Sequence, residues 1–503
     1  MRKSRRNFFR LALMSSLSSI FFQIRVSKSV EAKPFISLKK TFILSKQGTN
    51  NISRLPGGER WLVHLKKDLL PFWTMESALG NPIGNFPSVR CNDGTLVERT
   101  NPCSEIKSFN WLMMPRTYVV SLSRQTYGYC VAFHLTGERK YLEYAKAGVN
   151  YLRENAFDRK NGGAYGYWDG EKNSWQPVVE YRNPQEQAYF LLGLSFYYYL
   201  TRDQKVLADI LAVKDYIFQT YNNPQLGTFQ WVLKNGENGT VAEKHLVAVL
   251  DQLNSYMVLL TPLLPEPEQS QWKQDMLSLS NMMLSQFYSS KDNLFFIRAE
   301  NKNLETTDCD FGHTIKSMWM LYMIGLITGE TKLEKFAQKN GLLVLERAYL
   351  TQSGSWASQL NRGSKINQDK KWWIYAELDQ FAASLALKDP SVAVYLSRTY
   401  DYWFKYFVDP KYAEVWTGLD ANTNKPLAND LPKQWPWKNA YHSFEHALVG
   451  YITTQKLQHQ PIVLYYAFQE LPKRENIRPY FYTSTIKKLE SLPNQIYQVS
   501  FTN

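Results

Sequence analysis

The chain has 503 residues, 44% hydrophobic and 15% aromatic, which supplies apolar surface for a large core and leaves no biased tract that would read as a disordered arm. Its net charge of +14 falls to +8 once residues 1–32 are set aside, since they hold seven of the 59 Lys and Arg and one of the 45 Asp and Glu. The remaining basic residues are scattered, with no run interleaved with exposed aromatics, so a nucleic-acid partner is not expected.

In chain order, Ser4-Arg5-Arg6-Asn7-Phe8-Phe9-Arg10, a mildly apolar stretch from Leu11 to Ile24 and the small residues around Val30-Glu31-Ala32 read as a twin-arginine export signal over residues 1–32. An apolar stretch of about fourteen residues with serines in it cannot cross about 30 Å of hydrocarbon, so no stable membrane insertion is expected after cleavage and the expected location is periplasmic. Residues 33–59 read as an N-terminal extension, 60–455 as the main body and 456–503 as a C-terminal extension. Cys91 and Cys103 lie twelve apart in a turn-rich segment, where an oxidising periplasm could join them. Cys130 reads as a buried small hydrophobe, and Cys309 lacks the CxxC spacing of a metal site.

A repeat organises the body. Aromatic-rich segments with strand character recur, each leading to a turn: Gly84-Asn85-Phe86, Gly163-Ala164-Tyr165, Gly227-Thr228-Phe229, Asn293-Leu294-Phe295, Gly354-Ser355-Trp356 and Val415-Trp416. The turns, near 93, 169, 235, 301, 362 and 421, are 76, 66, 66, 61 and 59 residues apart, and the fifth is Asn361-Arg362-Gly363. Between them lie pairs of segments with apolar residues at helical spacing, the first of a pair ending at signals such as Thr136-Gly137 or Thr328-Gly329. Such units cannot bury their apolar faces singly, and closing the array into a ring removes the exposed ends. The sequence therefore predicts an all-α fold, an (α/α)6 toroid of six helical hairpins with short β-hairpins over one mouth.

In such a ring, polar residues at the first turns of the inner helices face a common funnel. Four places stand out: Arg124 inside the otherwise apolar Leu122–Tyr129, His313 in the Asp-rich start Asp308-Cys309-Asp310-Phe311-Gly312-His313, Lys371-Trp372-Trp373 running to Ala376-Glu377, and Trp437-Lys438-Asn439-Ala440-Tyr441-His442. His134 and His446 read as satisfied structural residues.

The stretches Phe311-Gly312-His313 with Trp319, Trp372-Trp373 with Ala376-Glu377, and Lys438 through Tyr441-His442, with Leu70-Pro71-Phe72-Trp73 and Asn161-Gly162-Gly163-Ala164-Tyr165 before them, resemble motifs of the N-acylglucosamine 2-epimerase family in the family's order. The resemblance spans roughly residues 60–455 and implies a cofactor-free, metal-free sugar 2-epimerase or aldose-ketose isomerase acting on a mono- or oligosaccharide through a cis-enediolate. It implies His313 and His442 as the two proton-transferring bases, a role suited to an unperturbed pKa of about 6.5. Arg124 would hold the oxygen that becomes the enediolate, Glu377 would orient a histidine or hydroxyl, and Tyr165, Trp372 and Trp373 would border the sugar. The chain departs from the family in three places, one being Gln185-Glu186-Gln187-Ala188-Tyr189, which matches a family segment only loosely. Lys316 stands where members usually carry Glu, three residues after the histidine, and the helix around Asp251–Ser255 lacks a histidine that several members have. Lys316 and Asn254 are the expected substrate contacts there, and a cation at i+3 is expected to favour neutral His313. Two rivals use the same architecture: a glycan-cleaving enzyme with Asp310 and Glu377 or Asp379 as acid and base, and a noncatalytic carbohydrate-binding protein that kept the aromatics.

Overall fold

A computed structural model describes residues 51–300, 309–360 and 366–502. The export signal, residues 33–50 of the N-terminal extension, Asp308 and the turns at Asn301 and Asn361-Arg362-Gly363 lie outside the described residues.

The body alternates outer and inner helices. Outer α1 (Gly58–Val63, continued by His64–Leu69 and Leu70–Trp73) precedes inner α2 (Val119–Thr136). Then come outer α3 (Arg139–Tyr151, continued by Leu152–Ala156), inner α4 (Pro184–Thr201) and outer α5 (Gln204–Tyr221). Inner α6 (Leu246–Gln252) continues through the π-type turn Leu253–Met257 to Val258–Leu260, and outer α7 spans Glu268–Met282. The series closes with inner α8 (Phe311–Thr328), outer α9 (Thr331–Ala348), inner α10 (Trp372–Ala386), outer α11 (Ala393–Tyr402) and inner α12 (Ala440–Leu457).

Local chemistry sets the ends. Asn183 caps α4 by accepting from the Glu186 amide, with Pro184 at the first position, and Asp310 caps α8 through the His313 amide. Gly137 and Gly329 end α2 and α8 at φ 71° and 78°, the left-handed conformation that glycine adopts without penalty. The inner helices are apolar on all sides and buried on all sides, as α4 illustrates from Gln187 to Thr201. The outer helices bury one stripe, in α3 Tyr141, Ala145, Gly148 and Val149. The run Leu246–Leu263 is long and apolar enough to cross a membrane, yet 94% of it is buried inside the ring, so it is a core helix here.

The inner helices pack in the order α2, α4, α6, α8, α10, α12 and back to α2. α12 also packs on α1, so the sixth hairpin is assembled from the two ends of the body. Close approach requires glycine at Gly128, where a Cβ would lie 2.4 Å from Ala440 Cβ, and at Gly193, where it would lie 2.6 Å from the Ser123 carbonyl.

Tight hairpins follow the outer helices in register: Phe157 opposite Ala164, Asn222 opposite Phe229, Tyr288 opposite Phe295, Tyr349 opposite Trp356 and Val408 opposite Val415. These are five of the six recurring aromatic segments of the sequence; the first, Gly84-Asn85-Phe86, forms no such hairpin. Cys91 and Cys103 form a disulfide, and their lobe packs Ile106 and Leu112 against Leu431 and Trp435.

The C-terminal residues carry a sheet. Ile462–Tyr466, Ile496–Thr502 and Thr485–Leu492 make an antiparallel sheet in that order, registered from Ile462 opposite Phe501 to Tyr466 opposite Tyr497. The intervening Tyr480-Phe481-Tyr482 is buried against Phe196 and Ser384, in the later turns of α4 and α10, and Trp319, midway along α8. This segment fills the end of the ring opposite the helix N-termini.

Candidate active site

The first two turns of all six inner helices open onto one cavity of about 600 Å³, whose lining includes Arg124, Tyr189, Asp251, His313, Lys316, Trp373 and His442. That volume is in the range that holds a small ligand.

His313 lies in the first turn of α8. Asp310 accepts its backbone amide at 2.6 Å with one oxygen and pairs with its Nδ1 at 2.7 Å with the other. The cap thus fixes the imidazole and leaves Nε2 as its uncommitted nitrogen. Its ring meets Trp373 edge to face at 4.7 Å. Gly312 permits this, because a Cβ there would sit 2.5 Å from the Trp373 ring.

His442 lies in the first turn of α12, and its ring lies 6.1 Å from each of Trp372 and Trp373. The same indole, Trp373, therefore flanks both imidazoles. Burial, then Arg124, Lys316, Lys438 and His313, hold His442 well below the ordinary histidine range, so it is a neutral imidazole at neutral pH. Its Nε2 lies 3.6 Å from Glu377 Oε1, beneath the cavity floor.

The Arg124 guanidinium donates to the Trp437 carbonyl and lies over Tyr189 at 4.3 Å and Trp437 at 5.1 Å. Its Nε is buried without a hydrogen-bond partner, and among the described residues no carboxylate comes within ion-pair distance, so the charge is not spent on a structural bridge.

Lys316 corrects an expectation. Its Nζ turns away from His313 to Asp251 Oδ1 at 3.1 Å and lies 4.0 Å from Glu377. Asp251 also receives Gln185 at 2.9 Å and the Tyr189 hydroxyl at 3.3 Å. Burial opposes the charge on Lys316, but Asp251, Tyr189 and Glu377 outweigh it and raise its pKa, so the cation persists. The imidazole it acts on is His442.

Two expected sugar contacts are not brought to the cavity lining. Tyr165 leaves its turn toward the adjacent hairpin, stacking on Trp175 at 5.9 Å beneath Arg182 at 4.4 Å. Asn254 sits lower on its helix, where it exchanges hydrogen bonds of 2.9 and 3.2 Å with the Tyr441 hydroxyl. Asp251, one turn earlier, reaches the cavity in its place.

His134 and His446 are structural: His134 bonds the Tyr465 carbonyl at 2.8 Å, and His446 pairs with Asp379 at 3.0 Å. Asp379 is further held by Trp356 at 2.8 Å and Thr399 at 2.5 Å, away from the cavity. The carboxylates on the cavity lining are each engaged, Asp310 with His313, Asp251 with Lys316, and Asp430 with Lys371 at 2.9 Å. Lys438 is an anchor, paired with the buried Glu414 at 3.1 Å, which also accepts Trp73 Nε1 at 2.6 Å. Among the described residues the one cluster of metal-ligand type is Cys91, Cys103 and Glu105, and its sulfurs form the disulfide.

Asp251, Gln185 and Tyr189 were read in the sequence only as departures from the family pattern and given no site role, although a signal existed. Asp251 is the sole acid in the apolar run 246–263, and a buried Asp is rarely without a partner.

The sequence profile of the family described as N-acylglucosamine 2-epimerase matches residues 112–445. A cellobiose 2-epimerase of Dictyoglomus turgidum is 24% identical over 343 residues, covering 65% of this chain and 84% of that protein. The structure of a cellobiose 2-epimerase from Bacillus thermoamylovorans superposes with a TM-score of 0.65 at 18% identity, covering 78% of this chain and 98% of that one. The crystal structure of a D-mannose isomerase gives 0.62 at 16%, covering 78% and 97%.

Proposed function

Because the chain belongs to the N-acylglucosamine 2-epimerase family and is a carbohydrate epimerase or isomerase, we propose that it moves the proton at carbon 2 of a reducing sugar with His313 and His442 as the two bases. The observation that carries this reading is the pair of imidazoles flanking Trp373 in one cavity, one fixed by Asp310 and the other kept neutral by burial and cations.

One imidazole takes the proton from carbon 2 and the other returns one from the opposite face. A positioned base of this kind is worth about 10²–10⁴-fold in rate. Arg124, which has no carboxylate partner among the described residues, stabilises the negative oxygen of the cis-enediolate between the two transfers. Glu377 Oε1 lies 3.6 Å from His442 Nε2, beyond hydrogen-bond reach, so its influence on the imidazole is through its charge. Trp373 forms the apolar wall against which the sugar ring lies. The engagement of each lining carboxylate argues against acid and base cleavage of a glycosidic bond, which needs two carboxyl groups facing the bond.

Export through the twin-arginine route is part of the same proposal. Arg5-Arg6 with the apolar stretch after it supports it, and the Cys91–Cys103 disulfide fits an oxidising compartment.

The test is incubation in heavy water with cellobiose, glucose, mannose and N-acylglucosamine. Deuterium at carbon 2 with formation of the epimer or ketose is expected. Release of a new reducing end, or binding without exchange, overturns the reading.

A further inference from the structure

Below the cavity the ring encloses two carboxyls, Glu377 on α10 and Glu445 one turn after His442 on α12, both fully buried. Their surroundings differ. Glu445 Oε1 accepts the Tyr480 hydroxyl at 2.6 Å, and Oε2 accepts the Gln380 amide at 3.4 Å. Among the described residues neither oxygen of Glu377 has a hydrogen-bond partner. Donors favour the ionised form of the carboxyl they reach, and burial without donors favours the protonated one. Burial raises both carboxyls, and the donors on Glu445 make it the better seat for a negative charge while Glu377 is the better seat for a proton.

Tyr480 belongs to the C-terminal segment, beyond the residues that match the family profile. Its backbone lies at φ 57°, a region that bulky residues rarely occupy and that persists where the surroundings over-determine it. Those surroundings are specific: its amide donates to the Tyr199 hydroxyl at 2.8 Å, its ring stacks on Phe481 at 3.9 Å, and its hydroxyl accepts from Tyr127 at 3.0 Å while donating to Glu445.

We propose that Tyr480 is a positioning residue for His442: by holding the negative charge on Glu445 it keeps the proton on Glu377, so the imidazole faces a neutral carboxyl and remains an unprotonated base. This deepens the reading of His442 as a base and rests on it. Burial pushes Glu377 up to about 8, with Lys316 and Arg124 opposing and Glu445 and Asp251 reinforcing. The charged or titratable groups that act on His442 are Arg124 on α2, Lys316 and His313 on α8, Glu377 on α10 and Lys438 before α12. The cations among them disfavour imidazolium whatever happens at Tyr480, whereas the charge on Glu377 depends on Glu445 and through it on the tyrosine hydroxyl. The third nearby acid, Asp251 on α6, is held as the partner of Lys316.

The test is a histidine-selective NMR titration of the full chain, with the His442 signal assigned by its loss in His442→Gln. Tyr480→Phe keeps the ring stack and removes only the hydroxyl, which lets the proton settle on Glu445 and leaves an anion at Glu377. Glu445→Gln reaches the same end by removing the competing charge, and it provides the same readout if the first variant does not fold. In the unaltered chain His442 is expected not to titrate down to pH 5. In both variants its midpoint rises by one unit or more, and the acid limb of kcat for carbon 2 exchange moves up in pH while KM is unchanged. A midpoint unmoved in either folded variant, with a rate loss that is uniform in pH, overturns the proposal. The titration needs no substrate, so the two readings fail separately: a chain that exchanges no sugar while the midpoint moves sinks the functional assignment alone, and an active enzyme with an unmoved midpoint sinks the role of Tyr480 alone.

Discussion

Lys316→Met tests the least family-like feature of the site. The substitution leaves Asp251 buried with only Gln185 and Tyr189 as partners, where the native side chain supplies a cation at 3.1 Å. Removing one member of a buried pair costs about 3–5 kcal/mol, because the other charge is left without a partner. A body of about 440 residues unfolds with an entropy of roughly 0.9 kcal/mol/K, so this loss corresponds to a Tm about 3–5 °C lower. Asp251→Asn alone is expected to do similar damage, since Lys316 then keeps only Glu377 at 4.0 Å. In the double variant the amide retains Gln185 and Tyr189 as neighbours and no charge is left over. The double variant is therefore expected within about 1 kcal/mol of the native protein, with an interaction energy of about 5 kcal/mol or more. Differential scanning calorimetry at pH 7 on the four proteins measures it. Losses that simply add in the double variant refute the claim that the two charges compensate each other.

Lys438→Met leaves Glu414 uncompensated in the core and is expected to cost about 3–5 kcal/mol in urea unfolding, although the residue lies off the cavity lining. Cys103→Ser opens a loop with a sequence separation of 12 and is expected to cost about 3 kcal/mol, with added reductant producing the same loss in the native chain. For pH, burial lowers His134 from 6.5 to about 3 and lowers His442 as well, so on acidification the unfolded chain binds protons first. Their contribution is fully present above pH 6.5 and is lost as the pH falls, at about 1.4 kcal/mol per unit for each histidine until its folded pKa is reached. His134→Asn is expected to flatten urea midpoints measured between pH 6 and 4 by one such increment, and an unchanged slope contradicts the assignment.

The ring was legible because its physics is repetitive. Each unit hides one apolar helix behind one amphipathic helix and marks its end with an aromatic hairpin, so Phe229, Phe295 and Trp356 recur at matching register positions. One helix start was legible through its cap, Asp310 before His313, whereas Arg124 stood out as a charge inside an apolar helix and Trp373 and His442 through their motifs. Side-chain direction was not legible. Helical spacing put Lys316 beside His313, but the partner it chose, Asp251, comes from a helix 65 residues away. Tyr165 follows a turn whose left-handed glycines, Gly162 and Gly163, send it to Trp175, and sequence alone does not fix that direction. The C-terminal residues lie outside the repeat, so nothing in its period announced that Tyr480 would enter the ring and reach Glu445.

The central claim is that the two imidazoles serve opposite faces of one sugar carbon, and isotope exchange with each removed in turn tests it most directly. His313→Gln and His442→Gln, each offered the two carbon 2 epimers separately in heavy water, are both expected to lose epimerisation. Each should still exchange the carbon 2 hydrogen of one epimer, and the retained epimer should be opposite in the two variants. If both variants exchange the same epimer, the two histidines act on the same face and the account is wrong.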